Sequence, residues 1–128
     1  MFKDFQIIMD TKIITNRECR IAVIHSNEVI ISDSQTALDF IVNTDYKNDC
    51  RKIALNKEAI TEDFFKLSTG LAGDIAQKFV NYNFMFAIIG DFSCYTSKSL
   101  NDYIYESNKG KHLFFVKDET EAIELLSK

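Results

Sequence analysis

Apolar residues in this chain fall into short runs whose spacing alternates between the period of a strand and that of a helix. Residues 5–9 (Phe-Gln-Ile-Ile-Met) predict a strand, Asp10-Thr11-Lys12 a turn, and Ile13-Ile14-Thr15 a second short strand. After polar Asn16-Arg17-Glu18, residues 19–25 predict a strand with a continuous apolar centre, whereas Val29-Ile30-Ile31 is too short to classify. From 34 to 46 the period becomes helical, with Ala37, Leu38, Ile41, Val42 and Tyr46 at steps of three and four. Asp33 or Ser34 is placed to cap that helix by accepting from its unpaired first-turn amides. Residues 51–56 predict the next strand.

The second half repeats the alternation. Thr61 opens a helical start, with Glu62 and Asp63 suited to the positive end of a helix dipole. Leu71, Ile75 and Phe79, flanked by Ala72 and Ala76, predict a helix over 69–82. The unalternating run at 84–90 predicts a strand covered on both faces, as in a parallel sheet between helices. A helix over 97–108 turns Leu100, Tyr103 and Ile104 inward, and Gly110 lies beyond its end. Residues 112–116 predict a last buried strand. Asp118 and Glu121 then form a capping-box-like pair ahead of Ala122, Ile123, Leu125 and Leu126. This order predicts a single α/β domain over residues 1–128: a mixed, mainly parallel sheet with about four helices packed on it and the N-terminal strands antiparallel.

Composition narrows the function classes. The chain has 128 residues, 46% hydrophobic and 27% charged, which suits a folded globular domain and not a disordered one. A formal charge of −4 disfavours nucleic acid as a partner, because phosphate backbones reward clustered Lys and Arg. No apolar run approaches the ~20 residues of a membrane span, and the acidic, short-cored start of the chain does not read as a signal peptide. Cys19, Cys50 and Cys94 are odd in number and far apart, without a CxxC spacing. They are expected to be reduced thiols of a cytoplasmic protein, with no metal site and no cofactor.

Two loops are candidates for chemistry, because ligands of parallel sheets meet the carboxyl ends of strands. One is Ser68-Thr69-Gly70-Leu71-Ala72-Gly73, where hydroxyls and glycine at a helix start allow close approach of an anion or another backbone. The plainer reading is a capped helix whose Ala72 and Gly73 permit close packing on the sheet. The other is the stretch from Gly90 to Ser99, in which Asp91, Ser93, Thr96 and Ser97 are the polar candidates for an anionic ligand. It lacks the spacing of a phosphate-binding P-loop, and Asp91 equally caps its turn while Thr96 or Ser97 caps the next helix. Phe64 and Phe65 are adjacent and cannot both face inward on one helix, so either one is an exposed protein-binding anchor or the loop covers it. No catalytic constellation is expected: His25 and His112 have no sequence link to Cys94. The acid pairs Asp39 with Asp45 and Asp102 with Glu106 fall on solvated helix faces, the latter pair as repelling neighbours that mark a partner surface.

Several segments resemble an uncharacterised bacterial family, domain of unknown function 4180. They are Asp63 to Gly73, Gln77 to Tyr82, Ala87 to Phe92, Ser97 to Leu100 and Tyr105 to Gly110. More distantly, Ser68-Thr69-Gly70-Leu71 between a strand and a helix resembles STAS domains of the anti-sigma-factor-antagonist type. Their Asp-Ser-Ser-Gly-Leu segment carries a phosphorylated serine that switches partner binding. The STAS aspartate is Leu67 here, and its second serine is Thr69. That resemblance implies a STAS-like regulatory module that binds another protein through Phe64, Phe65, Ser68, Thr69, Gly70 and Gly73, switched by a phosphate on Ser68 or Thr69. A homodimer and a binder of a small anionic ligand, or a weak enzyme using the Asp91–Ser99 loop, are the alternatives.

Overall fold

The structure, a computed structural model, describes residues 9–128, so the strand expected over 5–9 lies outside the described residues except for Met9. Strand β1 (Met9–Asn16) and strand β2 (Cys19–Ser26) form an antiparallel hairpin. The turn expected at Asp10–Lys12 is instead part of β1. Its polar residues are exposed along a sheet edge, where a strand needs no apolar signal. The chain turns at Arg17 and Glu18, both left-handed at φ 52° and 66°, the backbone that two-residue hairpin loops require. Neither is glycine or asparagine, so composition hid the turn.

From β2 onward the chain alternates as expected: helix α1 (Ser34–Asn48), strand β3 (Lys52–Asn56), helix α2 (Leu71–Asn81), strand β4 (Met85–Ile89), helix α3 (Lys98–Asn108), strand β5 (Leu113–Val116) and helix α4 (Glu119–Leu126). The five strands lie in chain order, β1 to β5, with every pairing after the hairpin parallel. Ile24, Ile53, Leu55, Phe86, Ile88 and Phe115 face α1, α2 and α3 in the larger core. Val23, Ala54, Ala87 and Phe114 meet Ala122 and Leu126 of α4 on the opposite face. The sheet is therefore covered on both sides, which accounts for the unbroken apolar runs of β4 and β5. Phe79 of α2 stacks on Phe86 of β4, ring centres 4.5 Å apart and planes within 5°.

Helix starts follow local chemistry. Asp33 accepts from Thr36 N–H at 2.8 Å while Thr36 Oγ1 accepts from Asp33 N–H at 3.0 Å, a reciprocal capping box. Asp118 accepts from Glu121 N–H at 2.9 Å, and Glu121 reaches back to Lys117 N–H at 3.0 Å. The α1 stripe is narrower than expected: Ala37, Ile41 and Thr44 are buried, whereas Tyr46 is 89% exposed. Helical rotation carries position 44 onto the inward line and position 46 off it. Thr44 occupies an apolar place by donating its hydroxyl to Phe40 O at 2.8 Å.

Two asparagines finish the sheet. Buried Asn56 accepts from Ser26 N–H and donates to Ser26 O, both at 2.9 Å, supplying a rung where the β2–β3 backbone ladder has ended at Ile24 and Leu55. Asn108 does the same for the edge strand, accepting from Phe115 N–H at 2.7 Å and donating to Phe115 O at 3.2 Å. Exchanging Asn56 for leucine removes both bonds and strands two buried backbone groups. The expected outcome is a loss of about 1–3 kcal/mol, read by urea unfolding.

Candidate functional site

The loops that follow β3 and β4 leave the sheet at its carboxyl end and meet. After β3 the chain runs through 3₁₀ turns at Lys57–Ala59, Glu62–Phe65 and Leu67–Thr69, where a regular helix was expected to begin at Thr61. Phe64 and Phe65 are 1% and 3% exposed, so neither is a surface anchor. The one-face limit of an α-helix does not hold in a 3₁₀ turn packed on two sides. Phe64 lies against Phe115 of β5 with ring centres 6.3 Å apart. Phe65 stacks on Tyr95 of the other loop at 5.2 Å and 19°, with Phe92 at 6.0 Å.

Between the joined loops lies a cleft of about 700 Å³. Glu62, Lys66 and Ser68 come from one loop; Cys94, Tyr95, Thr96 and Ser97 come from the other and Ser99 from the first turn of α3, and Phe65, Leu67 and Leu100 supply apolar surface. The two sequence candidates are thus walls of one site. Asp91 and Ser93 do not line it. Asp91 accepts from Ser93 N–H at 2.9 Å, and hydrogen bonds from Ser93 hold its carboxyl below the ordinary value. Ser97 lines the cleft but is also the cap of α3, accepting from Leu100 N–H at 3.2 Å.

A charge relay absent from the sequence reading stands beside the cleft. Tyr95 Oη donates to Glu62 Oε2 at 2.6 Å. Lys57 Nζ lies 3.8 Å from Glu62 Oε1 and sits over the rings of Phe65 and Tyr95, 5.5 and 5.2 Å from their centres. The tyrosyl oxygen, then the Glu62 carboxylate, raise the Lys57 pKa against the opposing effect of burial. Burial, then the bond to the Glu62 carboxylate, push the Tyr95 hydroxyl up to about 12. Gly90 at the end of β4 makes room for this lysine, because a Cβ there would come within 2.8 Å of Lys57 Cβ. That strands end near Lys57 and Gly90 was legible; that the two strands are neighbours, and that Tyr95 and Glu62 would close over their ends, was not. The relay leaves the lysine charge neutralised, so the cleft is polar and charge-compensated.

At the start of α2 the two hydroxyls differ. Thr69 Oγ1 lies 2.8 Å from Lys66 O and 3.0 Å from Asp63 O as donor, and accepts from Leu71 N–H at 3.2 Å. Ser68 is exposed on the cleft wall and its hydroxyl makes no hydrogen bond with a described residue. Gly70 is left-handed at φ 77°, joining the last 3₁₀ turn to α2 without a side-chain cap. Close packing on the sheet comes from buried Ala72 alone; Gly73 is exposed, and a Cβ there would meet nothing within 4 Å.

The remaining candidates lie elsewhere. Neither histidine lines the cleft: His25 is exposed on β2, and His112 Nδ1 donates to Phe84 O at 2.9 Å. Asp102 and Glu106 are not an unrelieved repelling pair, because Lys98 meets the first at 2.8 Å and Lys109 the second at 3.7 Å. Asp45 pairs with Arg51 at 3.3 Å, and Asp39 accepts from Gln35 at 2.9 Å. The three cysteines form no disulfide, and no group of three or more His, Cys, Asp or Glu suited to a metal ion occurs among the described residues. No described helix is long and apolar enough to cross a membrane.

With this geometry in hand, comparison with known proteins gives one result. The model of the family described as domain of unknown function (DUF4180) matches residues 16–126. The chain belongs to this family. No curated protein and no solved structure matches it. The matched span takes in both loops and the whole relay.

Two outcomes are expected. Because the folded Tyr95 hydroxyl titrates near 12 against an ordinary 10, its contribution to stability is intact below pH 10 and is lost as pH rises from 10 to 12. Unfolding curves over that range should therefore fall less steeply for Tyr95→Phe than for the natural chain, and the tyrosinate absorbance step near pH 12 should disappear. Gly73→Ala should raise stability by about 0.5–1 kcal/mol in urea unfolding, since open space awaits the methyl and the unfolded chain loses freedom.

Proposed function

We propose that the chain is a small cytoplasmic regulatory module of STAS-like type that binds another protein, or a second copy of itself, across the rims of the carboxyl-end cleft. A phosphate on Ser68 is its switch. The observation that carries this reading is the exposed Ser68 hydroxyl on the cleft wall, which bonds no described residue, beside a Thr69 hydroxyl already engaged with three backbone groups. Of the two hydroxyls considered from sequence, Ser68 is therefore the one a kinase can modify without dismantling the start of α2. A phosphoryl group brings about −1.5 to −2 charges to a wall that already holds Glu62, and its hydration resists burial under a partner. Unpaired Cys19, Cys50 and Cys94 accord with a reducing compartment.

A second reading has one observation behind it. Thr96, Ser97 and Ser99 bring their residues to one wall of the same cleft, a set of hydroxyls able to hold a small polar or anionic molecule. Lys66 on the cleft wall is paired with Asp63 at 3.5 Å and Lys57 beside it with Glu62 at 3.8 Å, so an anion would meet cations that are already compensated, and this supports the protein-binding reading over the second.

The test uses the full chain as bait in source-cell lysate, as natural protein, Ser68→Asp and Thr69→Asp, with partners read by mass spectrometry. The expected result is a protein held by the natural chain and released by Ser68→Asp while the fold is unchanged by circular dichroism. Thr69→Asp should instead lower the unfolding midpoint. Equal capture by the natural chain and Ser68→Asp ends the switch. A small molecule retained in native mass spectra and lost in Thr96→Ala, a position without Ser97's capping duty, would move the assignment to the second reading.

A further inference from the structure

A second cleft, of about 780 Å³, opens at the opposite end of the sheet on the α4 side, within the size range of small-molecule sites. Its base is apolar: Met85 of β4, Phe114 of β5 and Leu125 of α4. Its rim carries Lys109, Lys111 and Lys128, and no Asp or Glu lines it, a local reversal of the chain's net charge of −4. Lys109 shares its charge with Glu106 at 3.7 Å and with the Tyr105 ring at 4.2 Å. Lys111 and Lys128 form no ion pair with any described residue.

The walls are turns pinned in place. Asn83 is left-handed at φ 58° between α2 and β4, and Phe84 N–H closes onto Phe79 O at 2.8 Å. His112 Nδ1 donates to Phe84 O at 2.9 Å, tying the approach to β5 to that of β4. A carbonyl only accepts, so Nδ1 holds the proton and Nε2 remains available. The cleft is thus formed before any ligand arrives, which keeps the ordering cost of binding small.

An apolar base under unpaired cations complements a molecule with an alkyl body and an anionic head. We infer that this cleft binds a small amphipathic carboxylate, its alkyl part on Met85 and Leu125 and its head between the rim lysines. Met85 suits such a base because an unbranched thioether adapts to the shape of a flexible chain. The site shares no residue with the Ser68 cleft, so it stands whether or not that reading survives.

The experiment titrates the full chain with decanoate below its micelle concentration, followed by calorimetry and amide NMR. Saturable binding is expected, with shifts concentrated over residues 109–114 and at Leu125. Reversing one exposed rim charge, Lys111→Glu, should weaken it by about tenfold; if that variant fails to fold, Lys128→Glu carries the same expectation. Decyltrimethylammonium, with the same tail and the opposite head, should not displace decanoate, and acetate should not saturate the site. The inference is overturned by absent saturation, by shifts centred elsewhere, by equal binding of the cationic analogue or of acetate, or by charge reversal without effect.

Discussion

Phe65 stacked on Tyr95, with Phe92 and Phe115 behind them, is the contact on which the carboxyl-end cleft depends. The two loops leave different strands and share no regular backbone pairing. What sets their separation is a run of rings that begins in β5 and ends at the cleft wall, each pair contributing about 0.5–1.5 kcal/mol beyond simple burial. Lys57 then fills the space beside Phe65 and Tyr95, and its charge is balanced by Glu62, which in turn holds the Tyr95 hydroxyl. Each member of the group has its position fixed by two others.

Each end of the covered sheet carries a cleft, and the two ends differ in chemistry. The carboxyl end is lined by hydroxyls, with a neutralised ion pair beside them and polar side chains able to accept or donate in several directions. The opposite end has an apolar base and three lysines, of which Lys111 and Lys128 form no ion pair with a described residue. The difference follows from the chain path: at the first end long loops fold over the strands, whereas at the second the strands are entered through tight turns that bring Met85 of β4 and Phe114 of β5 to the cleft.

The element order was legible because each buried strand and helix carries an apolar run of the right length and period, from the centre of β2 to the Ala122–Leu126 stripe of α4. Expectations failed where backbone or packing overrode pattern. A left-handed Arg17-Glu18 pair turns the hairpin with no glycine to announce it, and a threonine takes an inward place that Tyr46 was expected to share. Phe64 and Phe65 are both buried because 3₁₀ turns, not a helix, carry them. Both walls of the site were marked by hydroxyls and glycines after strands. Their convergence was not, since Glu62 and Tyr95 are 33 positions apart and nothing local records that they touch. Gly73, suspected of close packing, proved to face open space, because glycine in a sequence does not say whether it avoids a neighbour or merely tolerates having none.

Asn108 has a consequence for how this protein behaves in a crowded solution. Leu113-Phe114-Phe115-Val116 is four uncharged residues of high strand preference at the border of the sheet, the kind of segment that seeds fibrils when its backbone is open to a like chain. The Asn108 amide occupies the Phe115 N–H and C=O together, so an approaching strand finds that rung already taken. The other border, β1, is guarded by different means: Asp10 and Lys12 place charge along it, and Lys12 is held by Glu119 at 2.9 Å. One carboxamide at the end of a helix thereby acts as a gatekeeper, letting the chain keep an aggregation-prone strand that its core requires.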